Sequence, residues 1–152
     1  MNSPSGSDVL AATAAAPPTV RLAQRIDWGL LVLRVLLAGS LLLLHGWSKA
    51  LQLFEPGPVR FADPLQLGEL PTLVLAVLTE GVAPVLVMAG IATRWAAAAA
   101  TATMAVAFFF VHGAALTGEE SGELAFLYLI GFLVLTITGG GRLGLDAGID
   151  RR

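Results

Sequence analysis

Apolar positions along this chain fall into four long runs, at 28–47, 73–91, 95–116 and 124–141. Each is close to the roughly 20 residues that a helix needs to cross a hydrocarbon core of about 30 Å. The runs predict helices over 28–48, 71–91, 94–115 and 123–139. Between the first two, the stretch 51–70 holds Pro56, Gly57, Pro58 and Pro64, which argues against continuous helix. Its apolar residues (Leu51, Leu53, Phe54, Phe61, Leu65 and Leu67) predict a segment that lies on the membrane interface or packs over the helices. The next connection, Gly90-Ile-Ala-Thr-Arg94, is short: Gly90 suits a helix C-cap and Thr93 the following N-cap, so the second and third helices form an antiparallel hairpin. The expected fold is all-α, an antiparallel bundle of four transmembrane helices with an irregular interfacial first loop. A flexible Ala/Ser/Pro-rich tail is expected over 1–27, the membrane domain over 28–147, and a short basic tail over 148–152.

Ionisable residues interrupt this pattern. Arg34 and His45 lie in the first run, Glu80 in the second and His112 in the third, while Glu123 heads the fourth. A charged group at such depth costs on the order of 3 kcal/mol even on the mildest insertion scales, so each needs a partner, water or a ligand. Helical periodicity places Arg34, Ala38, Leu41, His45 and Ser48 on one face of helix one. Glu80 shares a face with Leu73, Ala76, Pro84 and Val87, and His112 one with Ala98, Thr101, Ala105 and Phe108. His45 and His112 fall a few Å below the outer surface and Glu80 roughly 13 Å below it, at 1.5 Å per residue. Side chains lean toward the N-terminus of their own helix. On that geometry His45, Lys49, Glu80 and His112 converge on one cavity in the outer half, with Glu123 near its rim.

Arg34 belongs elsewhere, about 8 Å above the inner surface. It leans toward Thr136, Thr138, Asp146 or a lipid phosphate, or snorkels to the interface. A link to the Glu80 region is a further option, because Pro84 cannot donate to the carbonyl of Glu80. Trp28, Trp47 and Trp95 read as interface anchors, and Phe108-Phe109-Phe110 as packing or lipid-facing residues.

Composition narrows the class. Of 152 residues 56% are hydrophobic and 13% charged, against about 25% charged in a soluble domain, and mean hydropathy is +0.79. Net charge is −2, with scattered basic residues and no nucleic-acid footprint. The chain contains no cysteine, which excludes disulfides, thiolate metal sites, Fe–S clusters and thiol–disulfide chemistry; no metal site is expected. The first 20 residues lack the basic start and unbroken apolar core of a cleavable signal peptide. Arg21, Arg25, Arg94, Arg142, Arg151 and Arg152 fall on one side of the expected bundle, against Lys49 and Arg60 on the other. The positive-inside rule then puts both termini in the cytoplasm of a bacterial inner membrane.

An apolar slot with a histidine or tyrosine to hydrogen-bond a carbonyl, and a carboxylate for protons, is what a quinone needs. His45, His112 and Glu80 supply those groups, with Tyr128 nearby. A haem b held axially by the two histidines is the weaker fit, because the spacing does not demand it. The alternative is purely structural: Glu80 in an ion pair and the histidines as ordinary interfacial residues.

The same positions carry a family resemblance. Leu33-Arg34-Val-Leu-Leu-Ala-Gly39 followed by His45-Gly46-Trp-Ser-Lys49 resembles the opening motif of the DoxX family of small bacterial membrane proteins. Glu80-Gly81 with the Gly90–Arg94 turn, His112, Glu123–Tyr128 and Gly139-Gly-Gly-Arg142-Leu-Gly-Leu-Asp146 are similar to its later motifs, in order, over 28–147. Gly140 stands where a proline is usual and Gly144 where a serine is. The resemblance implies a four-helix inner-membrane protein. Name-giving relatives resemble a subunit of thiosulfate:quinone oxidoreductase, and some members associate with redox and sulfur-handling enzymes. The expectation is therefore a membrane subunit of a redox-associated complex, in contact with the lipid bilayer and with other membrane subunits. Its ligand or proton pocket would be formed by His45, Lys49, Glu80, His112 and Glu123, and Arg34, Arg94, Arg142 and Asp146 would be structural. Any catalysis would be that of a quinone-linked oxidoreductase subunit. Two alternatives are an accessory subunit packed against a larger respiratory or photosynthetic complex, and a small-solute or proton pathway.

Overall fold

A computed structural model of the chain describes residues 18–148. Within them the chain is helical, with no strand. Helix α1 (Pro18–Leu41) runs through a π-helical turn (Leu42–Gly46) into α2 (Trp47–Gln52). Helix α3 (Glu69–Val77) likewise passes through a π turn (Leu78–Val82) into α4 (Ala83–Ala89). Helix α5 (Thr93–Val106) ends in a third π turn (Ala107–Val111), α6 spans Glu123–Thr138, and a single 3₁₀ turn (Leu145–Gly148) follows. Three of the resulting rods are long and apolar enough to cross a membrane: Thr19–Gln52, Glu69–Ala89 and Thr93–Val111. The fourth, α6, is apolar but only 16 residues long, about 24 Å at the helical rise.

The first rod begins at Pro18, ten residues earlier than the apolar pattern suggests, so 18–27 are helix rather than tail. Proline is well placed at a first helical position, and Arg21, Leu22, Ala23, Gln24 and Arg25 are good helix formers. Hydropathy marks where a helix enters lipid, not where it starts. Residues 1–17 of the expected tail and 149–152 of the basic end, with Arg151 and Arg152, lie outside the described residues.

Burial follows the expected faces. Arg34, Ala38 and Leu41 are buried on the first rod, whereas Ser48 of the same expected face lies beyond the π turn and is exposed; Leu73, Ala76, Glu80, Pro84 and Val87 are buried on the second. On α5 the buried face is Ala96, Ala97, Ala100, Met104 and Phe108, one residue out of phase with the face set by Thr101 and Ala105. The core joins these alanines to Ala38, Leu41, Val87, Tyr128, Phe132 and Leu135. The buried face of α5 is mostly alanine, and many large apolar residues of the bundle lie outside, Trp95 being 81% exposed. That distribution suits lipid as the surrounding solvent. Thr101 instead meets α6, its hydroxyl 3.4 Å from that of Thr136.

The ends of the bundle differ in kind. At the end shared by the α4–α5 turn and the chain after α6, polar groups lock the elements together. Gly90 adopts the left-handed conformation (φ 73°) as C-cap of α4, as expected. Thr93 is not the N-cap of α5: Ala92 holds that place, and the Asp146 carboxylate, 53 residues away, accepts from the Thr93 N–H at 3.2 Å. Asp146 also donates its own N–H to the Gly90 carbonyl at 2.9 Å. Arg94 donates to the carbonyls of Thr136 and Ile137 at the end of α6, and the Arg142 N–H donates to Asp27 at 2.8 Å.

Arg34 joins this lock. It is 2% exposed and donates from Nη2 to the Leu143 carbonyl at 2.8 Å. It therefore neither snorkels nor reaches Glu80, and Thr136 and Thr138 are not its partners. Its guanidinium fits because glycine surrounds it. A Cβ at Gly140 would lie 2.9 Å from Nη1, one at Gly144 2.8 Å, and one at Gly90 would overlap it.

Candidate functional site

At the opposite end the rods separate. α4 and α5 pack closely beside their shared turn, whereas α3 diverges from α5 toward the other end. The space left is a cavity of about 670 Å³, within the range of about 300–1,000 Å³ usual for small-molecule sites. His45, Lys49, Glu80 and His112 all line it, together with apolar residues from every rod and from the first loop.

Each of the three ionisable residues from different rods sits at a π turn. His45 lies in Leu42–Gly46 and Glu80 in Leu78–Val82, while the His112 N–H donates to Ala107 to close Ala107–Val111. A π turn fits one extra residue into the helix and re-aims the side chains around it, and such turns concentrate at functional sites. The one in the second rod directly precedes Pro84, whose missing N–H already breaks the α-helical ladder there. Each ionisable residue is also followed by glycine: His45-Gly46, Glu80-Gly81 and His112-Gly113. That pairing was a sequence signal for the tier, although spacing and depth alone do not reveal it. Gly46 explains part of its use, since a Cβ there would overlap the Glu80 carbonyl. The first and second rods thus touch backbone to backbone at Gly46 and Gly81.

This contact brings Lys49 and Glu80 together as an ion pair. Glu80 is 4% exposed, so the pair satisfies a carboxylate that could not stay charged there alone. Its second oxygen, Oε1, has no hydrogen bond among the described residues. Lys49 also lies 5.7 Å from the ring centre of Phe61 in the first loop, within cation–π range. His112 holds its Nδ1 at 3.0 Å from the Glu120 carbonyl. A carbonyl only accepts, so Nδ1 carries the proton, and Nε2 is the nitrogen left for a ligand. His45 packs edge-on against Tyr128, ring centres 5.9 Å apart, and neither of its ring nitrogens hydrogen-bonds among the described residues. Tyr128 lines the cavity but donates its hydroxyl to Ser40 at 3.0 Å, and Ser40 donates to Leu37 at 2.9 Å. Ser40 was not singled out by the sequence pattern, because a serine within an apolar helix looks neutral until its partner is known. Glu123 is exposed in the first turn of α6 and is not among the cavity-lining residues.

The first loop covers the outer end of this space. Phe61, Ala62, Pro64, Leu65 and Leu67 line the cavity from above, so the segment packs over the helices. Asp63 pins it, accepting from the Leu67 and Gly68 N–H groups at 2.9 and 2.7 Å and from the Thr72 hydroxyl at 2.8 Å. The Thr72 hydrogen bond, above all, holds the Asp63 carboxyl below its ordinary value; slight desolvation opposes it, and the two amides add to it. Gln52 donates to the Arg60 carbonyl at 3.0 Å and ties the same segment to α2.

Residues 29–113 match the DoxX family. An uncharacterized protein of Haemophilus influenzae is 33% identical over 119 residues, which are 75% of this chain and 85% of that protein. No solved structure matches the chain.

Proposed function

The chain belongs to the DoxX family of membrane proteins, and on that premise we propose that its cavity binds a membrane-resident amphiphile, a quinone or a lipid-like molecule, within a redox-associated complex. The observation that carries this reading is one apolar cavity of about 670 Å³ lined by His45, Lys49, Glu80 and His112 together. The polar level carries hydrogen-bonding capacity without excess charge, since Lys49 and Glu80 neutralise each other. With Nδ1 of His112 engaged by the Glu120 carbonyl, its Nε2 faces a ligand, and both ring nitrogens of His45 are open to a donor or an acceptor. A quinone/quinol head presents carbonyls in one state and hydroxyls in the other, and this set of groups answers both. The excess of arginine at the Arg34 end supports the orientation with both termini in the bacterial cytoplasm and the cavity in the outer half. α6, although short, then serves as a fourth span because Gly139–Gly141 and the polar lock meet the inner interface.

The test is purification of the full chain in mild detergent, followed by organic extraction, mass spectrometry and an ultraviolet–visible spectrum. A quinone or single lipid species retained by the wild type, and lost in Glu80→Gln with the melting temperature held, is the expected outcome. An accessory role is favoured by one further observation, the closed Lys49–Glu80 pair, which is also what a register-fixing contact looks like. Under that reading nothing specific is retained, and Glu80→Gln lowers thermal stability alone.

A further inference from the structure

The cavity lies under the first loop and reaches the protein surface between the second and third rods. Above it lies the first loop, fixed by Asp63 to the start of α3, by Gln52 to α2 and by Phe61 to Lys49. To the side, where α3 parts from α5, its wall is a cleft between Leu75 and Thr79 on the second rod and Ala99, Ala102, Thr103 and Val106 on the third. Leu75, Ala99 and Ala102 are exposed along it, on a surface that otherwise meets the membrane. Four of the six side chains are alanine or threonine, so the cleft is a recess rather than a filled interface. It leads inward to Glu80, whose side chain is 6% exposed and whose Oε1 has no partner among the described residues.

We infer that the ligand enters sideways from the bilayer through the cleft between the second and third rods and leaves its single apolar chain lying there, head group at Glu80 and the histidines. The inference rests on the function proposed above and adds an access route, a chain-binding surface and a ligand with one tail. An unpartnered carboxylate oxygen at the inner end asks for a hydrogen-bond donor, while the cleft, lined by Leu75, Ala99, Ala102, Val106 and two threonines, offers a chain mainly apolar contact. Access from water would require the pinned loop to lift. A molecule already dissolved in the membrane meets no such barrier. Ala102 and Ala99 then set how much tail the protein can hold.

The experiment compares two ubiquinones with the same head, one with a single isoprenoid unit and one with eight, bound to the full chain in lipid nanodiscs at matched mole fraction. Ala102→Trp fills the cleft from an exposed position, so helicity and melting temperature should be unchanged. Ala99→Leu repeats the test with a smaller intrusion. Both variants should weaken the long-chain quinone about tenfold or more, since buried methylenes carry that part of the affinity, and the short-chain quinone less than about twofold. Glu80→Gln should weaken both quinones alike. Equal effects of the alanine variants on the two probes, or no effect, overturn the lateral cleft while leaving the head-group site standing. Failure of the wild type to bind either quinone, and equally a long-chain fatty alcohol, removes the proposed function and the cleft together. Retention of the fatty alcohol but not the quinones, with the same response to Ala102→Trp, upholds the cleft and makes the ligand a lipid.

Discussion

Two glycines in the first rod show how much a single Cβ decides. Gly46 faces the backbone of Glu80 and Gly81, whereas nothing lies within 4 Å of a Cβ built on Gly29. Gly29→Ala should therefore be neutral or stabilise by up to about 1 kcal/mol through lost backbone freedom in the unfolded chain. Gly46→Ala should destabilise by about 1–3 kcal/mol as the two rods are forced apart. Thermal unfolding of both variants in one detergent checks this, and equal shifts would dispose of the backbone contact. The ionisable residues were legible one at a time, because charge inside an apolar run stands out. Their pairing was not. That Lys49 rather than Arg34 meets Glu80 depends on the Gly46 crossing, and a long side chain in a sequence has many reachable partners.

The rods and their buried faces follow from period and hydropathy, as Leu73, Ala76, Glu80, Pro84 and Val87 show. π turns do not, because they shift the phase by one residue inside a helix whose composition stays the same. The face of the third rod was misphased for a related reason: with alanine at Ala96–Ala100, polarity hardly distinguishes one side from another. The first loop read correctly as irregular, yet its role as a cover came from Asp63, a residue with no distinction in the apolar pattern. Asp63→Ala should speed amide exchange and protease cleavage across 53–68 while leaving the rods protected. Because folding lowers the Asp63 pKa, its anchoring is fully present above the ordinary carboxylate value of 3.8 and is lost as pH falls through the lower, folded value. Protection factors in the loop should therefore be flat from neutral pH down to about pH 5 and fall only in stronger acid. A loop that opens near pH 6 would contradict this assignment.

At the scale of the molecule, the bundle is a lock at one end and a cavity at the other. The α4–α5 turn, the chain after α6 and Arg34 hold the rods together where Asp146, Gly90, Thr93 and Leu143 meet, and this anchorage lets the far ends diverge. Asp146 is also the negative charge that acts on the buried Arg34 guanidinium. Asp146→Ala should lower stability by about 0.5–2 kcal/mol, the usual cost of losing a helix N-terminal cap, here the acceptor of the Thr93 N–H. It should also reduce ligand retention at the distant cavity, whereas Arg142→Ala, which keeps its backbone bond to Asp27, should do neither. Melting temperature and retained ligand, measured on the same samples, decide it. Sequence by itself determined that the chain is helical, that it carries four long apolar runs and which ionisable residues interrupt them. Those properties come from local composition and from a fixed helical period. Tertiary structure decided which polar groups partner each other, that Asp146 caps a helix 53 residues away and that the ionisable tier surrounds a cavity. Each of these depends on distances between helices, set by where glycine lets two backbones touch and where larger side chains hold them apart.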